Sequence, residues 1–181
     1  MILLILGLLL WWASHLFKRL APDARARMGD AGKGVVAVAS LAAIVLMVIG
    51  YRSADVAVLW NPPAFLTHIN NLLMILAIYL FVSSGAKAWI TTKIRHPQLT
   101  AVKAWAVAHL LVNGDVVSMV LFGGMLGWAV VSVILINRAT GVWEPEHGLP
   151  VKNEVQAVIG TAVVLAVIGF IHNWLGYWPF G

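Results

Sequence analysis

Cysteine is absent from this chain, which removes disulfides, thiolate metal sites, iron–sulfur clusters and covalent c-type haem attachment together. A cofactor must therefore be held by histidine, methionine, carboxylate or backbone. Charge is scarce too: Asp, Glu, Lys and Arg make up 10% of 181 residues, too few to cover a water-soluble globule. Walker A, dinucleotide-fingerprint and HExxH patterns are missing, and Ser14 and Ser118 have no evident base and acid arranged for nucleophilic catalysis. What fills the chain instead is apolar, 61% of residues, with a mean hydropathy of +0.91. This is the composition of a bilayer protein, and its nine tryptophans suit interfacial belts. The formal charge of +5 sits between apolar segments, where membrane topology explains it better than nucleic acid does.

Apolar runs lie at about 2–17, 35–51, 64–84, 98–113, 116–137 and 154–175. Each approaches the ~20 residues needed to cross ~30 Å of hydrocarbon, the fourth being short. The expected fold is an all-α polytopic membrane helix bundle of about six transmembrane helices, with residues 1–181 as a single transmembrane domain. The first run reads as a membrane helix and not as a cleaved signal, because Lys18 and Arg19 follow it instead of preceding it. Ten basic residues fall in the odd-numbered connections, and Arg52 alone in the even ones. The positive-inside rule then puts the odd connections in the cytoplasm and both termini outside. In the fourth connection, Asn113-Gly114-Asp115, Gly114 is expected to cap one helix in the left-handed region and Asp115 to cap the next.

Six histidines remain to be read, and an ionisable side chain inside a span is by default a functional-site hypothesis. His147 falls in a connection and reads as solvated, and His172 lies near the exit of the last span. His15 lies about one turn from the cytoplasmic end of span one, and His96 precedes Pro97 at the start of span four. His109 is about 18 Å into span four on the helical rise, while His68 enters span three near the outer side. Depth alone pairs His15 with His96 and His68 with His109. For any single histidine, a bond to a neighbouring carbonyl is the commoner use, contributing about 1 kcal/mol between membrane helices. Several histidines on different early spans of a cysteine-free bundle shift the balance toward metal or haem ligation between helices. Arg19, one turn beyond His15, and Lys103, within snorkelling reach of the cytoplasmic side, could meet propionates. Contact with lipid phosphate is the blander use of either cation.

The stretches WASHLFKRL, RARMGDAGKGVVAVASLAAIVLMVIGY and RHPQLTAVKAWAVAHLLVNGD resemble the bacterial NnrU membrane family, over essentially the whole chain. NnrU proteins share their domain with the plant zeta-carotene isomerase. The resemblance implies a non-covalent haem b with two axial histidines, matching His15 and His109, with His96 of the RHPQ element as a supporting residue. His68 and His96 stay open as alternatives, since the depth estimate does not pair His15 with His109. The plant enzyme carries a cysteine three residues before its second ligand histidine, where this chain has Ala106, so a switch to that ligand is impossible here. The resemblance further implies a bacterial inner-membrane location and a link to nitrite and nitric oxide respiration. Two haem-dependent roles follow from it: cis–trans isomerisation of a lipophilic polyene, or redox or nitric oxide sensing. The rival from another class is a haem-free accessory or assembly protein that contacts nitric oxide reductase. A third, a transporter, has thin support, because no pair of broken helices in corresponding halves is visible.

Overall fold

Hydrocarbon offers no partner to backbone N–H and C=O groups, so a chain with these runs has to close its hydrogen bonds inside helices. The computed structural model describes residues 1–180 and contains α1 (Ile2–Leu20), α2 (Pro22–Arg27), α3 (Ala31–Arg52) and α4 (Leu66–Ala86). After a 3-10 turn at Trp89–Thr92 come α5 (Pro97–Val112), α6 (Val116–Thr140) and α7 (Val151–Trp174). Among the described residues there is no named strand, only an isolated bridge between Val58 and Asp115. Five helices, α1, α3, α4, α6 and α7, are long and apolar enough to cross a membrane. The expected fourth span is α5, whose 16 residues reach only about 24 Å at the helical rise, so one of the six runs falls short of that length. Outward faces are apolar, with Val155, Val158, Ile159, Val163 and Phe170 exposed on α7, as lipid contact requires.

The helices form two packing units. The first comprises residues 1–61 and 114–140, and the second residues 62–113 and 141–181. In the first, α1 crosses α3 at close range because two glycines make room. A Cβ on Gly50 would lie 2.2 Å from the Leu4 backbone nitrogen, and one on Gly7 2.8 Å from the Ala43 carbonyl oxygen. Leu4 is fully buried at this crossing, where small residues replace the missing hydrophobic drive between helices in lipid. Helix α6 is joined to the pair by side chains. Trp12 Nε1 donates to the Gly124 carbonyl at 3.1 Å, and the Tyr51 hydroxyl lies 2.8 Å from Ser118 Oγ.

Asp115 caps α6 as expected: its carboxylate accepts from the Ser118 N–H at 2.8 Å and from Ser118 Oγ at 2.7 Å. Gly114 does something else. It is not among the positive-φ residues, and the preceding helix ends at Asn113 in an extended conformation. Glycine is needed here for space, because a Cβ would sit 2.0 Å from the Trp60 carbonyl oxygen. The Gly114 carbonyl accepts from the N–H groups of Leu59 and Trp60, and the Val116 N–H donates to Ala57. The second and fourth connections are thus bonded together, and the excursion through α4 and α5 begins and ends at one level.

In the second unit α4 packs against both α5 and α7. Lys87, left-handed at φ 53°, stops α4, and the junction beyond it is clasped to the start of α7. Glu154 accepts from the Tyr79 hydroxyl and, at 3.0 Å, from the Trp89 N–H. Asn153 donates to the Lys87 carbonyl, and Lys87 Nζ pairs with Glu146 at 3.0 Å. At the far end Asn71 Nδ2 donates to the Phe180 carbonyl, so α7 runs antiparallel to α4. The third and fifth connections therefore share one side of this unit.

The crossing of α1 and α3 yields a stability prediction. Gly50→Ala should lower the thermal midpoint of the detergent-purified protein, by about 1–3 kcal/mol of stability as for other overpacked cores. Gly34→Ala, within α3 and with nothing inside 4 Å of the added carbon, should not lower the midpoint and should raise it slightly in the same tryptophan-fluorescence melt.

Candidate functional site

A histidine inside a helix can turn its ring back along the axis and donate to the carbonyl four residues earlier, satisfying one nitrogen without a second helix. His15 does this: Nδ1 donates to the Trp11 carbonyl at 2.9 Å. Ser14 Oγ donates to the same carbonyl at 3.0 Å and lies 3.1 Å from Nδ1. A carbonyl only accepts, so in the neutral ring the proton is on Nδ1 and the lone pair is on Nε2. The ring stacks on Trp11 with centroids 3.9 Å apart and meets the edge of Trp128 at 5.2 Å. Trp11 and Trp128 also contact each other edge to face, at 5.4 Å. An aromatic wall from α1 and α6 thus fixes the half-buried imidazole of His15 within the first unit.

Two donors in this wall are left over. The indole N–H groups of Trp11 and Trp128 are buried without an acceptor, a state that costs about 1–3 kcal/mol per group when no partner arrives. Both flank His15, and both could donate to a ligand with acceptor oxygens.

His109 repeats the arrangement in the second unit. Its Nδ1 donates to the Trp105 carbonyl at 2.9 Å, and its ring lies 5.2 Å from Trp105. Asn113 Nδ2 donates to the His109 carbonyl at 2.8 Å and so holds the last turn of α5 closed. The spacing Trp-x-x-x-His therefore occurs in α1 and again in α5, each time with the tryptophan carbonyl fixing the histidine tautomer. Metal-ligating histidines use the same device, the second ring nitrogen donating to a carbonyl or carboxylate. His172 on α7 has it too, with Nδ1 donating to Ile168 at 2.8 Å.

The other expected residues divide. His96 precedes Pro97 at the start of α5, and its backbone carbonyl accepts from the Thr100 N–H at 2.9 Å. His68 is exposed in the first turn of α4, and His147 is exposed in the fifth connection. Lys103 is half-buried on α5. Arg19 lines a cavity at the end of α1 together with Lys18 and Arg25. Trp11, Trp105, Trp128 and the bond of His172 were not expected from the sequence. The repeated Trp-to-His spacing was the signal available for the first two.

Among the described residues, no three or more His, Asp or Glu side chains converge to hold a metal ion. Haem makes no such demand, because the porphyrin supplies four nitrogens and the protein only the axial ligands. Single imidazoles with the proton held on Nδ1, an aromatic wall and spare buried N–H donors beside His15 fit that group by donor chemistry. The tautomers are directly measurable. In haem-free protein labelled with 15N-histidine, His15 and His109 should both give the Nδ1–H pattern at neutral pH. An Nε2–H pattern at either residue would contradict the assignment.

The family model described as NnrU protein matches residues 3–179 and spans both packing units. No match was found among curated proteins or among solved structures. With nearly its whole length matched, the chain belongs to the NnrU family.

Proposed function

We propose that this chain is a haem b-binding protein of the bacterial inner membrane, with His15 and His109 as the axial ligands. The observation that carries the reading is the paired Trp-x-x-x-His device, which leaves Nε2 of each neutral imidazole with its lone pair. The orphaned N–H groups of Trp11 and Trp128 add acceptor-seeking donors beside His15, and Arg19 and Lys103 are the cations that would meet propionates. Bound there, haem would supply a one-electron redox centre. The chain's own part is to hold the two rings, orient them through the tryptophan carbonyls and exclude water with indole and aliphatic side chains.

Of the haem-dependent roles, we favour redox or nitric oxide sensing linked to denitrification over isomerisation of a zeta-carotene-like polyene. The position of the plant enzyme's cysteine is held here by Ala106, which is fully buried and offers no replacement ligand. The test is the oxidised and dithionite-reduced absorption spectrum of protein expressed with haem precursor, beside His15→Ala and His109→Ala. A low-spin haem b spectrum that turns high-spin or disappears in both variants supports the axial pair. An effect of one variant alone would reassign the second ligand, with His68 and His96 next to be replaced. Wild type without haem would move the accessory role at nitric oxide reductase to the front, to be tested by co-purification.

The orientation we propose, odd connections cytoplasmic and both termini periplasmic, rests on the positive-inside distribution of the basic residues. Because the chain has no cysteine, single substitutions report cleanly. On intact cells a membrane-impermeant maleimide should label Ser53→Cys in the second connection and spare Asp23→Cys and His147→Cys until lysis. The opposite pattern would invert the topology.

A further inference from the structure

At the end of α1 the chain turns sharply at Pro22 into the short α2, and three cations collect around one cavity. Lys18 and Arg19 come from the last turn of α1, and Arg25 comes from α2. Pro22, Ala26 and, from the end of α6, Ala139 complete the lining of a space of about 440 Å³. No carboxylate lines it. The helix dipole accounts for a cation or two at the end of α1, but not for the third arriving from another helix.

Arg25 is held in place. Its Nη1 donates to the Gly29 carbonyl at 3.0 Å, in a turn that Gly29 makes at φ +53°. Gly32 leaves the room: a Cβ there would lie 2.4 Å from the same Nη1. A guanidinium fixed this way keeps most of its five donors for another acceptor and loses little freedom on binding one. Asp30, an acid in the adjacent turn, is already engaged with Lys33 at 2.8 Å.

We propose that this cavity binds the phosphate of an anionic phospholipid headgroup, with Lys18, Arg19 and Arg25 as its ligands. Its place at the end of a membrane span is the level of lipid phosphate, and its volume falls within the roughly 300–1,000 Å³ of small-ligand sites. Three cations facing one concavity are the chemistry that selects an anionic headgroup over a zwitterionic one, as basic pockets between membrane helices do. The small apolar residues Pro22, Ala26 and Ala139 leave space beside the phosphate for glycerol carbons. The inference does not need haem, although Arg19 figures in both readings.

The full-length protein in detergent, melted by tryptophan fluorescence, provides the test. Phosphatidylglycerol should raise the midpoint saturably by several degrees, and phosphatidylcholine and inorganic phosphate should not. The phosphatidylglycerol shift should shrink in Lys18→Gln, an exposed position where folding is not at stake, and vanish in Lys18→Gln/Arg19→Gln. Equal shifts with phosphatidylcholine, or variants that retain the full shift, overturn the proposal. An equal shift with inorganic phosphate overturns the lipid in favour of a free phosphate compound. Loss of haem from the variants with the phosphatidylglycerol response intact overturns it in favour of a propionate clamp.

Discussion

A polar side chain in a membrane helix finds no partner in hydrocarbon, and the nearest one in protein is the carbonyl one turn back. That constraint shapes the chemistry of this chain. His15, His109 and His172 each give Nδ1–H to the residue four positions earlier, and Ser40 and Thr161 bond back in the same way. For serine and threonine the bond simply quiets a hydroxyl. For histidine it has a chemical consequence, since fixing the proton on one nitrogen leaves the lone pair on the other. The same local economy that lets an imidazole enter hydrocarbon leaves it with the lone pair that a ligand needs.

Packing then decides which of these imidazoles is elaborated. The α1–α3 crossing is close because Gly7 and Gly50 have no side chains, and Trp12 ties α1 to α6 through the Gly124 carbonyl. These contacts bring Trp128 of α6 against His15 and Trp11. The result is a dense aromatic wall with two buried N–H groups unmatched. In a medium without water such groups are expensive, and a wall with acceptor-hungry donors beside a bare nitrogen is more than helix packing requires.

Hydropathy and charge made most of the fold legible from sequence. The six apolar runs became six helices, with shifts only at their ends, and the shortness of the fourth was visible in its length. Asp115 was readable because an acidic residue ahead of an apolar run has one common use, and the structure gives it that use through Ser118. Gly114 misled, since glycine serves both left-handed turns and close approach, and only the Trp60 carbonyl pressed against it distinguishes the two. The division into two packing units lay out of reach, because it depends on which non-adjacent helices meet. His15 and His109 could be named from the resemblance, but the tryptophan beneath each of them reads as ordinary membrane composition until the carbonyl geometry is seen.

We propose that these imidazoles hold iron in a porphyrin. Haem content per chain tests it most directly, measured as the pyridine haemochromogen on protein purified from haem-supplied membranes. About one haem b per chain, bound without a covalent link, is the expected result. Folded protein that retains no haem under those conditions would contradict it.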